Sequence, residues 1–298
     1  MRVRLAVAAI GLVCAAAASA NDVIVGVLEE VPSSYAAQRT SKQVRVVFRR
    51  DKDGWSTFAN NCDDQACLQA AAKTFPPQLS WWVAFRGKLL GQLRSTAPET
   101  FDFYSHIGLQ AIPPGQTIPE YGNPSVDFGG YTDSVVHRPL VAVTAPSFND
   151  PDEWKPAPHT GPALETLRKA FLARYPRLCR NNAAQTKLEA YDYKDSDVTI
   201  LKAYASSSRG TIALLHLADA VECDNTEAGT VMDDPWFLLR PDGSSKYIDR
   251  GMFLVDAGDY DGDGHSELVF SISRYNRGGY ELFYDGFERR AMFEYGYQ

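Results

Sequence analysis

Short runs in which apolar and polar residues alternate are the dominant pattern of this chain. QVRVVFRR sets Val44, Val46 and Phe48 against Arg45, Val47 and Arg49, and DKDG then turns the chain toward Trp55 and Phe58. A side-chain period of two broken by Asp and Gly predicts a β-hairpin. The plan recurs in WWVAFRGKLLGQL around Arg86-Gly87-Lys88 and in WFLLRPDGSSKYI around Pro241-Asp242-Gly243. The stretch ELVFSISRYNRGGYELFYDGFERRAMFEYGY holds three such strands, joined by NRGG and DGFERR. LVAVT, VTILKAY and TIALLHL add strands that are apolar on at least one face. His216, in TIALLHL, falls on the face of Ile212 and Leu214 and is expected in the core.

Two segments carry a helical pattern instead. NNCDDQACLQAAAKTF is Ala-rich behind an Asn/Asp start. GPALETLRKAFLARYP lines up Leu164, Leu167, Phe171 and Tyr175, with Pro162 suited to a first turn and Pro176 to a stop. A helix with one apolar stripe is expected to pack on its parent domain. The Pro-rich stretches IPPGQTIPEYGNP and APSFNDPDEWKPAPHTGP cannot sustain regular elements, because each Pro removes a donor and restricts its predecessor. They are expected to be long surface loops of one domain covering residues 21–298, with Tyr121, Trp154 and His159 placed to meet a partner.

The N-terminus changes the setting. Arg2 and Arg4 precede an Ala-rich run that ends in Ala18-Ser19-Ala20, the pattern of a secretory signal peptide over residues 1–20. The apolar run is shorter than a spanning helix needs and no second one follows, so no membrane span is expected. Without those two arginines the formal charge of −7 becomes −9. Basic residues cluster nowhere beyond a pair, which argues against nucleic acid as a partner. Secretion or a periplasmic location follows as the expectation. The even set Cys62, Cys67, Cys179 and Cys223 then predicts two disulfides among three connectivities, the simplest being Cys62–Cys67 with Cys179–Cys223.

One stretch carries legible chemistry. In DAGDYDGDGHSELVF, Asp259, Asp261 and Asp263 fall at alternate positions, with Gly262 and Gly264 between and after the last two, and Glu267 follows. Glycines let such a chain curl so that its acids converge, and a hard cation bound by six to eight oxygens removes their mutual repulsion. The twelfth position from Asp259 is Phe270, where a helix-loop-helix calcium site needs a bidentate Glu, and the flanks MFLVD and ELVFSIS are strand-like. GDYDGDGHSEL resembles the calcium loop of FG-GAP repeats, the repeats of integrin-α-type β-propellers, with one clear copy in the chain. The resemblance implies calcium held by the side chains of Asp259, Asp261, Asp263 and Glu267 and by the backbone carbonyl of His265, in a loop spanning 256–270. Asp256 has no place in that pattern and reads as a turn or strand-end acid.

These readings converge on a mainly β fold: a β-propeller or propeller-like array of about five or six sheets with two short helical insertions. The alternative is a β-sandwich with helical insertions. The expected function is an exported calcium-binding protein whose ion is structural and whose loops bind a protein or glycan. A secreted hydrolase acting on glycans or peptides is the alternative, although no nucleophile or acid/base pair stands out.

Overall fold

The alternating segments become strands where the pattern places them. The computed structural model describes residues 23–32, 40–58, 62, 64–97, 104–121, 138–180, 188–223 and 232–296. The expected signal peptide lies outside them. Within them the chain is mainly β, with two short α-helices.

The N-terminal part builds a closed barrel of six antiparallel strands. In barrel order these are β1 (Ile24–Pro32), β7 (Leu140–Val143), β4 (Gln78–Phe85), β5 (Lys88–Thr96), β6 (Leu109–Ala111) and β2 (Thr40–Asp51), and β2 pairs back onto β1. Closure removes the unpaired edges that an open sheet exposes. Strand β3 (Gly54–Thr57) extends β2 across the predicted Asp51–Gly54 turn. A bulge between Val25 and Gly26 lets β1 approach Trp81, and a Cβ at Gly26 would meet that ring and the Arg45 carbonyl oxygen at 2.9 Å. Inside, Trp81 Nε1 donates to Ser95 Oγ at 2.6 Å, Ser95 donates to Gln110 Oε1 at 2.5 Å, and Gln110 Nε2 donates to the Pro76 carbonyl at 2.6 Å. The side-chain polar groups of Trp81, Ser95 and Gln110 are thereby all partnered, as a low-dielectric interior demands.

The remaining strands form three sheets. A four-stranded meander runs β16 (Met252–Gly258), β17 (Glu267–Arg274), β18 (Arg277–Tyr284) and β19 (Arg289–Gly296). A five-stranded sheet has the order β15 (Ser245–Arg250), β14 (Pro235–Leu239), β12 (Gly210–His216), β11 (Thr199–Ser206) and β8 (Lys155–Pro156). A small sheet joins β10 (Glu189–Ala190), β9 (Leu178–Arg180) and β13 (Ala220–Glu222). The helices are α1 (Gln65–Ala72), capped by the Asp64 carboxylate on the Cys67 amide, and α2 (Pro162–Arg174), with Pro162 in its first turn.

Side-chain parity stacks these pieces. Val255, Val269, Tyr280, Leu282 and Phe293 of the meander face the barrel core, while Leu254, Leu268, Phe270, Ile272 and Phe283 face the five-stranded sheet. That sheet meets them with Ile212, Leu214, Trp236 and Leu238, and its other face packs on Leu164, Leu167 and Phe171 of α2. The order is barrel, meander, five-stranded sheet, helix. Leu254 and Val255 serve opposite layers by ordinary strand alternation, and a bulge between Leu254 and Asp256 shifts the parity of β16 so that Ala257 joins Leu254 on the side of the five-stranded sheet. Among the described residues no circular array of five or six blades occurs, because the first sheet closes on itself and the others stack on it.

Both disulfides of the simplest connectivity are present. Cys62–Cys67 ties the start of α1, and Cys179–Cys223 ties β9 to the end of β13, with Cα separations of 5.3 and 5.0 Å.

Candidate metal centre

The acidic stretch is the loop between β16 and β17, closed at its base by the Gly258–Glu267 pair. Gly262 and Gly264 take φ of +78° and +89°, a region open to glycine at little cost. This turns the following amides inward. The Asp259 carboxylate accepts from the amides of Gly262 at 2.7 Å, Asp263 at 3.0 Å and Gly264 at 3.1 Å. Glu267 Oε2 accepts from the Tyr260 amide at 2.8 Å.

One carboxylate oxygen from each of Asp259, Asp261 and Glu267 lies within 4.8 Å of the other two. Two oxygens bound to one calcium ion stand at most about 5 Å apart, twice the ordinary bond length, so the spacing suits a shared cation. The donors are all hard oxygens, which fits calcium or magnesium and not a thiophilic metal. Asp259 and Glu267 are buried, and the Asp261 side chain is only 6% exposed. Burial pushes the Glu267 carboxyl up to about 9, with Asp261 adding to the shift, and burial also raises Asp259 against the pull of its amide partners. Asp263 and His265, expected to join the site through a carboxylate and a backbone carbonyl, follow in the same loop. Both are exposed, and Asp263 Oδ1 accepts the His265 amide at 2.8 Å.

Two partners of the loop lie far away in sequence. Arg50, at the end of the first hairpin, donates from Nε to Asp261 Oδ2 at 2.5 Å. Residues 147–154, within the second Pro-rich stretch, form a clasp. Ser147 Oγ donates to the Asp259 carbonyl at 2.6 Å, the Asp259 amide donates to the Asn149 carbonyl at 2.7 Å, and Ser266 Oγ donates to Asp150 Oδ1 at 2.6 Å. Asp152 takes the Ser266 amide at 2.9 Å, Ser208 Oγ at 2.8 Å and Arg209 Nε at 3.0 Å. Burial works to raise the Asp152 carboxyl, but these donors together hold it below its ordinary value.

The clasp corrects the expectation of a free surface loop. Trp154 is buried against Phe287, with ring centroids 6.0 Å apart, while Tyr121 and His159 are exposed. His216 departs from its expected core position: its ring is 35% exposed and its Nδ1 lies 2.8 Å from Asp234 Oδ1. Asp256 is a buried residue within β16. Its carboxylate accepts the Arg86 amide, and burial raises it to about 7.

No family model, no curated protein and no solved structure matches the chain.

Proposed function

We propose that the β16–β17 loop is a structural calcium site and that the protein is an exported calcium-binding module whose exposed loops meet a protein or glycan. The observation that carries the reading is the convergence of Asp259, Asp261 and Glu267 on one point, within 4.8 Å, in a loop with two left-handed glycines. Asp263 and the His265 carbonyl, which the FG-GAP resemblance adds, would complete the shell together with water. A four-stranded antiparallel meander is also the plan of a single propeller blade, and this favours an FG-GAP-like unit built once into the chain. Two disulfides favour an oxidising compartment, and the signal-like pattern of residues 1–20 points the same way. In this reading the ion ties the ends of β16 and β17 to the clasp and so holds the central layer of the stack.

The test is thermal melting with calcium and with chelator. At free calcium 100-fold above its dissociation constant the folded state gains about 2.7 kcal/mol, which raises the melting temperature by several degrees. Asp259→Asn combined with Asp261→Asn abolishes the response while the far-ultraviolet spectrum stays that of a β protein. A wild-type melt that is the same in excess chelator and in millimolar calcium overturns the proposal.

A further inference from the structure

We propose that a cleft remote in sequence from the acid loop binds a neutral sugar, a polyhydroxyl ligand without net charge. The inference rests on the glycan side of the function proposed above, though not on the ion. A pocket of about 490 Å³ opens where the C-terminal end of α2 meets β9, β13 and β15, a volume within the range of small-molecule sites. Glu222, Tyr247, Asp249 and Arg250 line it from the strands, and Arg174 and Tyr175 from the helix end.

The carboxylates of this lining are already matched. Glu222 pairs with Arg250 at 2.5 Å, and Asp249 takes Arg274 at 2.9 Å and Arg290 at 3.1 Å. Those two arginines are shared in turn with Glu294 at 3.6 Å and Glu281 at 2.8 Å, and Arg177 at the rim is engaged as well. An ionic ligand would have to break one of these pairs and leave a charge without its partner. A sugar breaks none. The Glu222 and Arg250 side chains are 40% and 42% exposed, and each group carries more hydrogen-bonding positions than one ion pair uses. Sugar hydroxyls donate and accept at once, so they can replace water on both members of the pair.

The wall that carries these groups is fixed in advance. The Cys179–Cys223 bond and the pairing of Leu178 with Glu222 lock β9 to β13. The Arg174 guanidinium stacks over the Tyr247 ring at 5.0 Å and the Tyr175 ring at 5.5 Å, which sets its plane and meets its charge with ring faces. The two phenols are hydrogen-bonded to each other, and the Tyr247 hydroxyl donates to Asp249 Oδ1 at 3.4 Å. Burial raises both phenols, so their hydroxyls stay protonated. Donors and acceptors held in place before the ligand arrives spare it the cost of ordering them.

The experiment is saturation-transfer NMR on the full chain, calcium-free in chelator, with glucose, galactose, mannose and N-acetylglucosamine, each with and without excess inorganic phosphate. With no ion present, a failure here is distinct from a failure of the calcium melt. Saturable transfer to the ring protons of at least one sugar, undiminished by phosphate, is expected. Glu222→Gln and Arg174→Ala should each weaken binding by about threefold or more, the worth of one hydrogen bond, and Arg94→Ala, on the barrel, should leave it unchanged. An unaltered melting temperature certifies the fold of each variant, and Tyr247→Phe, which removes only a hydroxyl, serves if either melts early. Absence of saturable transfer to all of the sugars, its loss in phosphate, or a smaller effect in the folded variants overturns the proposal.

Discussion

Single side chains decide how the acid loop behaves. Arg50 places a positive charge on Asp261, against which any cation at the loop must compete. Arg50→Gln is therefore expected to strengthen calcium binding by on the order of tenfold, the worth of about 1.4 kcal/mol of like-charge repulsion at close range. Calorimetric titration checks this, and an unchanged or weaker affinity means that Arg50 serves only to position Asp261. Glu281 is a second telling side chain. It sits on β18 with no exposed surface, accepts from Arg290 at 2.8 Å, and keeps Oε2 without a hydrogen-bond partner among the described residues. Burial raises it from 4.5 to about 7, against the attraction of Arg290. A raised folded value means that the folded state holds the proton more tightly. The resulting stabilisation is complete below about pH 4.5 and is lost as pH climbs through about 7, with a slope of up to ~1.4 kcal/mol per pH unit. Urea melts from pH 4 to 8 should show a flatter profile in Glu281→Gln than in the wild type, and parallel profiles would exclude the assignment.

Elements show why some structure was legible and some was not. The hairpins at Asp51–Gly54, Arg86–Gly87 and Asp242–Gly243 and the stripe of α2 formed where the pattern placed them, because alternation and turn residues are local signals. The glycine-curled acid loop was legible for the same reason, and Asp259, Asp261 and Glu267 do converge. The clasp was not legible. Nothing in APSFNDPDEWKPAPHTGP announces contact with Ser266, 114 residues away from Asp152. Pro and Asp predict irregular chain but not what the irregular chain packs against. Barrel closure was hidden likewise, since the pairing of β1 with β2 and β7 depends on partners remote in sequence. Asp152 gives the clasp a measurable weight. Asp152→Ala leaves Arg209, Ser208 and the Ser266 amide without their shared acceptor and should cost about 3 kcal/mol in urea unfolding. A loss below about 1 kcal/mol would show that the clasp is peripheral.

Across the whole molecule, the two disulfides constrain very different lengths of chain. They close sequence separations of 5 and 44 residues, worth about 2 and about 4 kcal/mol on the chain-entropy account. Cys179→Ser with Cys223→Ser is thus expected to lower the melting temperature more than Cys62→Ser with Cys67→Ser does, and the reverse order would place the greater strain at the longer link. Further ties bind layer to layer. Glu29 of β1 pairs with the buried Arg45 of β2 at 2.6 Å and also accepts the Tyr280 hydroxyl of β18, while Arg45 stacks on Tyr295 at 4.1 Å. With ionic and apolar contacts joining the barrel to the meander, one cooperative unfolding transition is the expected behaviour.

The meander β16–β19 is apolar on both faces and is synthesised after both of the layers it separates. Until its strands are made, the barrel lacks the cover given by Val269, Leu282 and Phe293, and the five-stranded sheet lacks Phe270 and Phe283. A nascent chain must therefore wait, half-covered, for this wedge. A chain interrupted before Met252 would present two sticky faces and aggregate instead of yielding a smaller folded core.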